Sequence, residues 1–331
     1  MAITGKENYL RLMHGEIPEY VPSNYEPYSQ GVAEELLTPV SAPNGPIVTS
    51  LGVEYVGSPE NNYGAMPTPG KYICPDVTQW EKYIKKPDLS DRNWEKYYMD
   101  QAKNFDRENN VLRVGGGDYW LTAVSFMGFE ETMLAMYEEP EALKDMLAYV
   151  NEFYLEVLKK QIYYLHPDVL GIMDDDAALD YPFFSPEMYR EFFKPFHQTH
   201  IDLAHENNMV IDRHDCGRCE DFIPDWVEMG IQSWGPAQTS NDIKGIKAKY
   251  GNKLAINGGW DAILPLDMPL SELKDKLAEY TDTLAPGGGF MWAARFAGDM
   301  KDPAVIERNQ VIKDFYYDYV KDYYKNHPDK C

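Results

Sequence analysis

The first hundred residues carry little regular alternation of apolar and polar positions, and the pattern becomes rhythmic after residue 110. Short apolar runs at 111–114, 169–173, 209–212, 231–234, 254–257 and 290–292 predict strands. Helical patterns lie between them. Leu143, Leu147, Val150, Tyr154 and Leu158 recur at helical spacing and predict a helix over 141–165. Ser185-Pro186 and Asp302-Pro303 each place a capping side chain before a proline, which marks a helix start. The second of these predicts a last helix reaching about Tyr324. Shorter helices are predicted at 6–14, 220–229 and 271–283. Residues 41–76 hold six prolines and five glycines, too many breakers for regular elements. They predict a long ordered loop with one short strand at 53–56, and loops of this size often serve as lids.

Strands alternating with helices imply parallel strands joined by crossovers. Six such units after residue 110 predict a (β/α)8 TIM barrel, with a doubly wound open sheet as the alternative. The length of 331 residues is compatible with one barrel domain spanning 1–331. No G-x-G-x-x-G stands at a strand–helix junction, which weakens a dinucleotide-binding version.

In a barrel, catalytic residues follow the strands at their C-terminal ends. The residues in those places are Gly115-Gly116-Gly117-Asp118, Asp174-Asp175-Asp176, His214-Asp215-Cys216, Gln238, Asn257-Gly258-Gly259-Trp260-Asp261 and Gly287-Gly288-Gly289. In extended chain, residues i and i+2 share a side, so His214 and Cys216 can meet one ion. Cys219 joins them only if the chain turns. Imidazole and thiolate suit zinc, whereas a hydrogen-bonded histidine beside two half-buried thiols is the structural alternative. Three adjacent carboxylates repel one another. One of Asp174, Asp175 and Asp176 is therefore expected to act as a general acid, a substrate contact or a metal ligand, unless the run is a solvated turn. Aromatic residues near predicted loops, Tyr25, Tyr63, Trp120 and Trp260 among them, are candidates to line a pocket for a flat ligand. Asn24, Glu26 and Asn257 are candidates for its polar contacts.

The charge balance of 31 Lys+Arg against 54 Asp+Glu, a net −23, disfavours nucleic acid and anionic membrane as partners. It suits a basic protein, or a neutral or cationic small molecule. No 18-residue apolar run predicts a membrane span. The opening residues lack the apolar stretch of a secretory signal, and four cysteines make no disulfide framework. The expected compartment is the cytoplasm.

Several longer motifs carry a resemblance. Arg11-Leu-Met-His-Gly-Glu-Ile-Pro-Glu-Tyr-Val-Pro22, Ser185-Pro-Glu-Met-Tyr-Arg-Glu-Phe-Phe-Lys-Pro195, Asn257-Gly-Gly-Trp-Asp261 and Leu284-Ala-Pro-Gly-Gly-Gly-Phe290 resemble, in order, the uroporphyrinogen decarboxylase superfamily. That resemblance implies a (β/α)8 barrel. Decarboxylases of the superfamily grip substrate carboxylates with an N-terminal arginine-rich loop. The matching stretch here, Pro22-Ser-Asn-Tyr-Glu-Pro-Tyr28, has no arginine. The cobalamin-dependent methyltransferases of the superfamily hold zinc with a His-x-Cys pair and a later cysteine. His214 and Cys216 match the pair, and Gly288 stands where the later cysteine is expected. Cys219, an aspartate of 174–176 or Glu220 is the candidate replacement. The insertion at 41–76 and the stretch at 57–63 resemble O-demethylase methyltransferases. The resemblance thus implies transfer of a methyl group from a methyl ether, a methoxylated aromatic, to the Co(I) of a separate corrinoid protein, and allows a homodimer. The alternatives are the reverse half-reaction onto a thiol or pterin, tetrapyrrole decarboxylation, and a non-catalytic ligand-binding protein.

Overall fold

The computed structural model describes residues 3–31, 34–39, 41–58 and 63–331. Its strands are β1 (Ser29–Gly31), β2 (Ile47–Val48), β3 (Glu54–Val56), β4 (Met66–Pro67), β5 (Val111–Gly115), β6 (Val169–Met173), β7 (Val210–His214), β8 (Ser233–Ala237), β9 (Ala255–Gly258) and β10 (Phe290–Met291). Seven of them form one parallel sheet in the order β1-β5-β6-β7-β8-β9-β10. The segment that carries β1 also reaches the opposite edge. Ser23 bridges Trp292 in parallel, and the Trp292 amide donates to the Pro22 carbonyl at 2.8 Å. Six of the seven strands are those the sequence predicts after residue 110, displaced by up to three residues.

The 41–76 stretch differs from expectation. In place of one lone strand, β2, β3 and β4 pair as an antiparallel sheet. A single strand leaves its backbone groups unpaired, and the breakers supply the turns that let the chain pair with itself. Gly52 sits at φ 89° in the turn between β2 and β3. Val53 and Tyr55 are buried and fix this sheet to the core. Of the 57–63 stretch, residues 59–62 lie outside the described residues.

Pro140–Leu165 forms the expected long helix, and its predicted apolar face is buried. The last helix is not continuous. Pro303–Phe315 gives way to a π-helical turn over Tyr316–Val320, then to Tyr323–Asn326. The wider turn shifts the register so that Tyr316, Val320 and Tyr323 are all fully buried.

Side-chain alternation divides each parallel strand between two faces. Leu112, Val114, Leu170, Ile172, Ile211, Trp234, Ile256 and Phe290 pack outward into the helix layer. Val111, Val169, Val210, Ala255 and Met291, at or near the starts of their strands, pack inward against Tyr9, Leu12 and Met13. These three belong to the opening helix Gly5–Met13, which Thr4 caps by accepting from the Glu7 amide at 3.1 Å. The helix seals the N-terminal end of the sheet with an apolar layer, so a cavity inside can open only at the C-terminal end. Among the described residues, no helix is long and apolar enough to cross a membrane.

Leu12 is 1 % exposed at the centre of that seal. Leu12→Ala is expected to lower unfolding free energy by about 2–5 kcal/mol, measured by urea denaturation. A change under about 0.5 kcal/mol, the range of ordinary surface sites, would show that the seal is not part of the core.

Candidate functional site

The same alternation sorts the two charged strand ends. After β6, Asp174 and Asp176 are fully buried and Asp175 is half-buried; at the end of β7 and just beyond it, Arg213 and Asp215 are buried, while His214 and Cys216 are half-buried. The strands run in register, with Met173 beside His214. One set of side chains therefore points back toward the helices and the other toward the interior.

The backward set is an ion cluster. Arg213 donates to Asp176 at 2.5 Å and to Asp215 at 2.6 and 3.1 Å, and its guanidinium lies 4.6 Å from the Trp226 ring. Asp215 also accepts from the Asp176 amide at 3.0 Å. Two carboxylates share one cation in a dry site. Burial raises Asp176, and its repulsion with Asp215 adds to that. Burial likewise pushes Asp215 up to about 7, against the pull of Arg213. Asp174 behaves differently. It accepts from the amides of Tyr119, Trp120 and Leu121 at 2.9, 3.2 and 2.9 Å, capping the helix Trp120–Met127. His197 Nε2 lies 3.1 Å away. Burial would raise this carboxyl, but His197, Arg213 and the amide bonds hold it below its ordinary value. Asp174 and Asp176 thus have no open face toward a ligand, which narrows the expectation that one of the three acids acts to Asp175.

The forward set gathers donors of three kinds. The Asp175, His214 and Cys216 ligand atoms all lie within 4.8 Å of one another. Cys216 Sγ is 3.5 Å from His214 Nε2, and Asp175 Oδ1 is 3.7 Å from it. Asp175 Oδ1 also accepts from the Cys216 amide at 2.9 Å, tying the two strand ends together. Burial lowers the His214 imidazole from its ordinary value despite the neighbouring Asp175, so the ring is neutral, as a metal ligand must be. Burial, then the Asp175 charge, pushes the Cys216 thiol up to about 12. A thiolate here needs a cation beside it. Three protein donors are the complement of a catalytic zinc, so the residues fit the ion.

Three metal expectations are corrected. Cys219 is fully buried, and its thiol faces the carbonyls of Asp215, Cys216 and Gly217, at 3.7, 3.6 and 3.4 Å, any one of which can accept its proton. The chain turns there, but away from His214. Gly288 precedes β10, where a Cβ would meet Ile17 and Asn252 at the sealed end of the sheet. The residue of this strand that reaches the cavity is Ala293. Glu220 is occupied by Arg218 at 2.5 Å and by the Asp242 amide at 2.8 Å.

A cavity of about 530 Å³ opens beside the triad. Asn24, His214, Asn257 and Trp260 line it. The other expected contacts do not. Trp120 is 2 % exposed and packs among Phe129, Phe183, Phe184 and Phe193. Tyr25 packs against Trp292 and Tyr316, and Glu26 pairs with Lys321 at 2.8 Å. Tyr63 stands exposed at φ 60°. Nearness to a loop in sequence says little about which way a ring turns. Sequence reasoning also missed Arg113, Asp212 and Arg295, all in the cavity wall. A charge inside the apolar run 111–114, and an acid two residues before His214, were the available signals.

The shared cation gives an asymmetric expectation. Arg213→Ala strands two buried acids and should cost about 3–5 kcal/mol, whereas Asp176→Asn relieves repulsion and should cost far less. Urea unfolding of both variants checks this, and equal losses would contradict it.

The model of the family described as Uroporphyrinogen decarboxylase (URO-D) matches residues 62–293. The chain is also similar to the solved structure of a methyltransferase from Methanosarcina mazei, with a TM-score of 0.63 and 16 % identity over 96 % of this chain and all of that one. Identity that low is a likeness of fold. No curated protein sequence matches. The matched span runs from before β4 to Ala293, taking in the whole donor triad, and the chain belongs to the uroporphyrinogen decarboxylase family.

Proposed function

We propose that the protein is a single-domain (β/α)8 barrel, closed by the 22–31 segment, that moves a methyl group from a methyl ether to the Co(I) of a separate corrinoid protein. The observation that carries this reading is the Asp175, His214 and Cys216 triad beside a small-molecule-sized cavity. Decarboxylation of a polycarboxylate has no evident use for such a donor set, and the 22–28 segment lacks arginine. The methyltransferase name of the structural neighbour agrees with it.

An ether oxygen is a poor leaving group, so its developing charge must be met as the C–O bond breaks. A zinc ion held by the triad would supply Lewis acidity to that oxygen. The chain's own part is to hold the donor side chains in place, through the Arg213 cluster behind and the Asp175–Cys216 bond between strands. Asn257 and Trp260 would position the ring of the donor. The rim carries Leu179 and Ile263, 63 % and 84 % exposed, on loops after β6 and β9. A partner seated there would bring its cobalt over the cavity and exclude water.

The purified protein should bind one zinc. Asp175→Ala, His214→Ala and Cys216→Ser should each weaken it by more than the roughly 10–100-fold that losing an outer partner costs, in competition titrations with a chromophoric chelator. Cys219→Ser should leave affinity unchanged, and a loss there equal to the others would return Cys219 to the ligand set.

The deciding experiment mixes the protein with reduced corrinoid protein and a panel of methyl donors and follows the cobalt spectrum. Methylation with a methoxylated aromatic is expected, slowed about 10²-fold or more in the His214 and Cys216 variants. Transfer only from methylated corrinoid protein to a thiol would reverse the direction. No transfer either way would sink the reading.

A further inference from the structure

Asn24 lines the cavity, yet every residue beside it is turned away and tied down. It stands at the first corner of the turn 23–26, which the Glu26 amide closes on the Ser23 carbonyl at 3.1 Å. Ser23 bridges Trp292, and Tyr25 packs against the rings of Trp292 and Tyr316. Asn24 Oδ1 accepts from the Tyr28 hydroxyl at 3.3 Å. Its Nδ2 donates to no group among the described residues and remains open to a ligand. The sheet itself holds this stretch weakly: among the described residues it offers the Ser23–Trp292 bridge and the bond from the Trp292 amide to Pro22.

The remaining ties come from the π-helical turn Tyr316–Val320 and from Lys321, which ends it. Tyr316 Oη donates to the Val21 carbonyl at 2.9 Å, and the Val21 amide donates to the Lys321 carbonyl at 3.1 Å. Residues five apart stand about 140° apart around an α-helix, so an unbroken helix would not turn both toward one residue. Here the Lys321 amide donates to the Tyr316 carbonyl at 2.8 Å, the five-residue step of a π-turn, and the two come together on Val21. Tyr317 Oη donates to the Tyr25 carbonyl at 3.2 Å, and Lys321 Nζ to Glu26 at 2.8 Å. The turn thus grips the chain on both sides of Asn24. We propose that Tyr316, Tyr317 and Lys321 are positioning residues, a latch by which the π-turn fixes Asn24 as a hydrogen-bond donor to an oxygen of the bound ligand. This rests on the proposed function for the ligand, an aromatic methyl ether, and on the geometry of the turn for the latch.

Two measurements on the intact protein, without corrinoid protein, test the latch. The variant is Tyr317→Phe/Lys321→Met, which spares the buried Tyr316. Hydrogen exchange needs no ligand. In the variant the amides of 21–26 should exchange at least about 10-fold faster, while those of Leu170, Gly171 and Ile172 keep their rates. Calorimetric titration with 2-methoxyphenol reads the positioning. Asn24→Ala should weaken binding about 5-fold, the worth of one hydrogen bond. The latch variant should weaken it by a similar factor, and should weaken it no further once Asn24 is already alanine. A merely structural role predicts additive losses, and additivity overturns the inference. Unchanged exchange at 21–26 overturns it too, as does unchanged affinity in the latch variant. No binding of 2-methoxyphenol by the wild type overturns both this inference and the aromatic-ether reading. A non-additive cycle without methyl transfer in the corrinoid assay would sink the methyltransferase reading alone, and methyl transfer with an additive cycle would sink this one alone.

Discussion

The buried Arg213 guanidinium is the interaction on which the functional end of the sheet depends. It takes two carboxylates, Asp176 from one strand end and Asp215 from the next, into the space between sheet and helices. A charge cannot stay in that space unpaired, so all three side chains are committed to the outer face. Strand geometry then leaves no choice for their neighbours. Asp175, His214 and Cys216 must face inward, one beside another.

The interior is layered along the strand axis. At the bottom, valines and the opening helix exclude water. One pair of residues higher, Arg113 and Asp212 supply charge, and one pair higher again His214 stands beside Asp175 and Cys216. Polarity thus rises in the direction of the opening. Each layer is set by residues two apart in sequence, so one strand, β7, contributes Val210, Asp212 and His214 to all three.

Family membership and site chemistry carry different weight here. The fold is shared with decarboxylases and methyltransferases alike, and a common fold does not choose between reactions. What separates them is the content of the interior. This chain lacks an arginine in its 22–28 segment, places Ala293 in the cavity wall of the last strand's loop, and provides a carboxylate, Asp175, from β6 as a third donor.

The sequence by itself determined the strand–helix alternation, because apolar periodicity reports which residues a sheet and its helices must bury. It also determined the His214 and Cys216 pair, because residues two apart on a strand share a face whatever surrounds them. Tertiary structure alone decided which acid of Asp174–Asp176 meets His214 and Cys216, since three like residues in a row look alike until Arg213 claims Asp176 and the amides before the Trp120 helix claim Asp174. It decided that Cys219 turns away and that Gly288 lies at the sealed end, because both depend on where a loop bends and a strand begins. It decided that Trp120 and Tyr25 are core rings, since neither shows its direction in composition. Arg113 and Asp212 are 99 residues apart in the chain, and their meeting over Gly171 exists only once β5, β6 and β7 lie side by side.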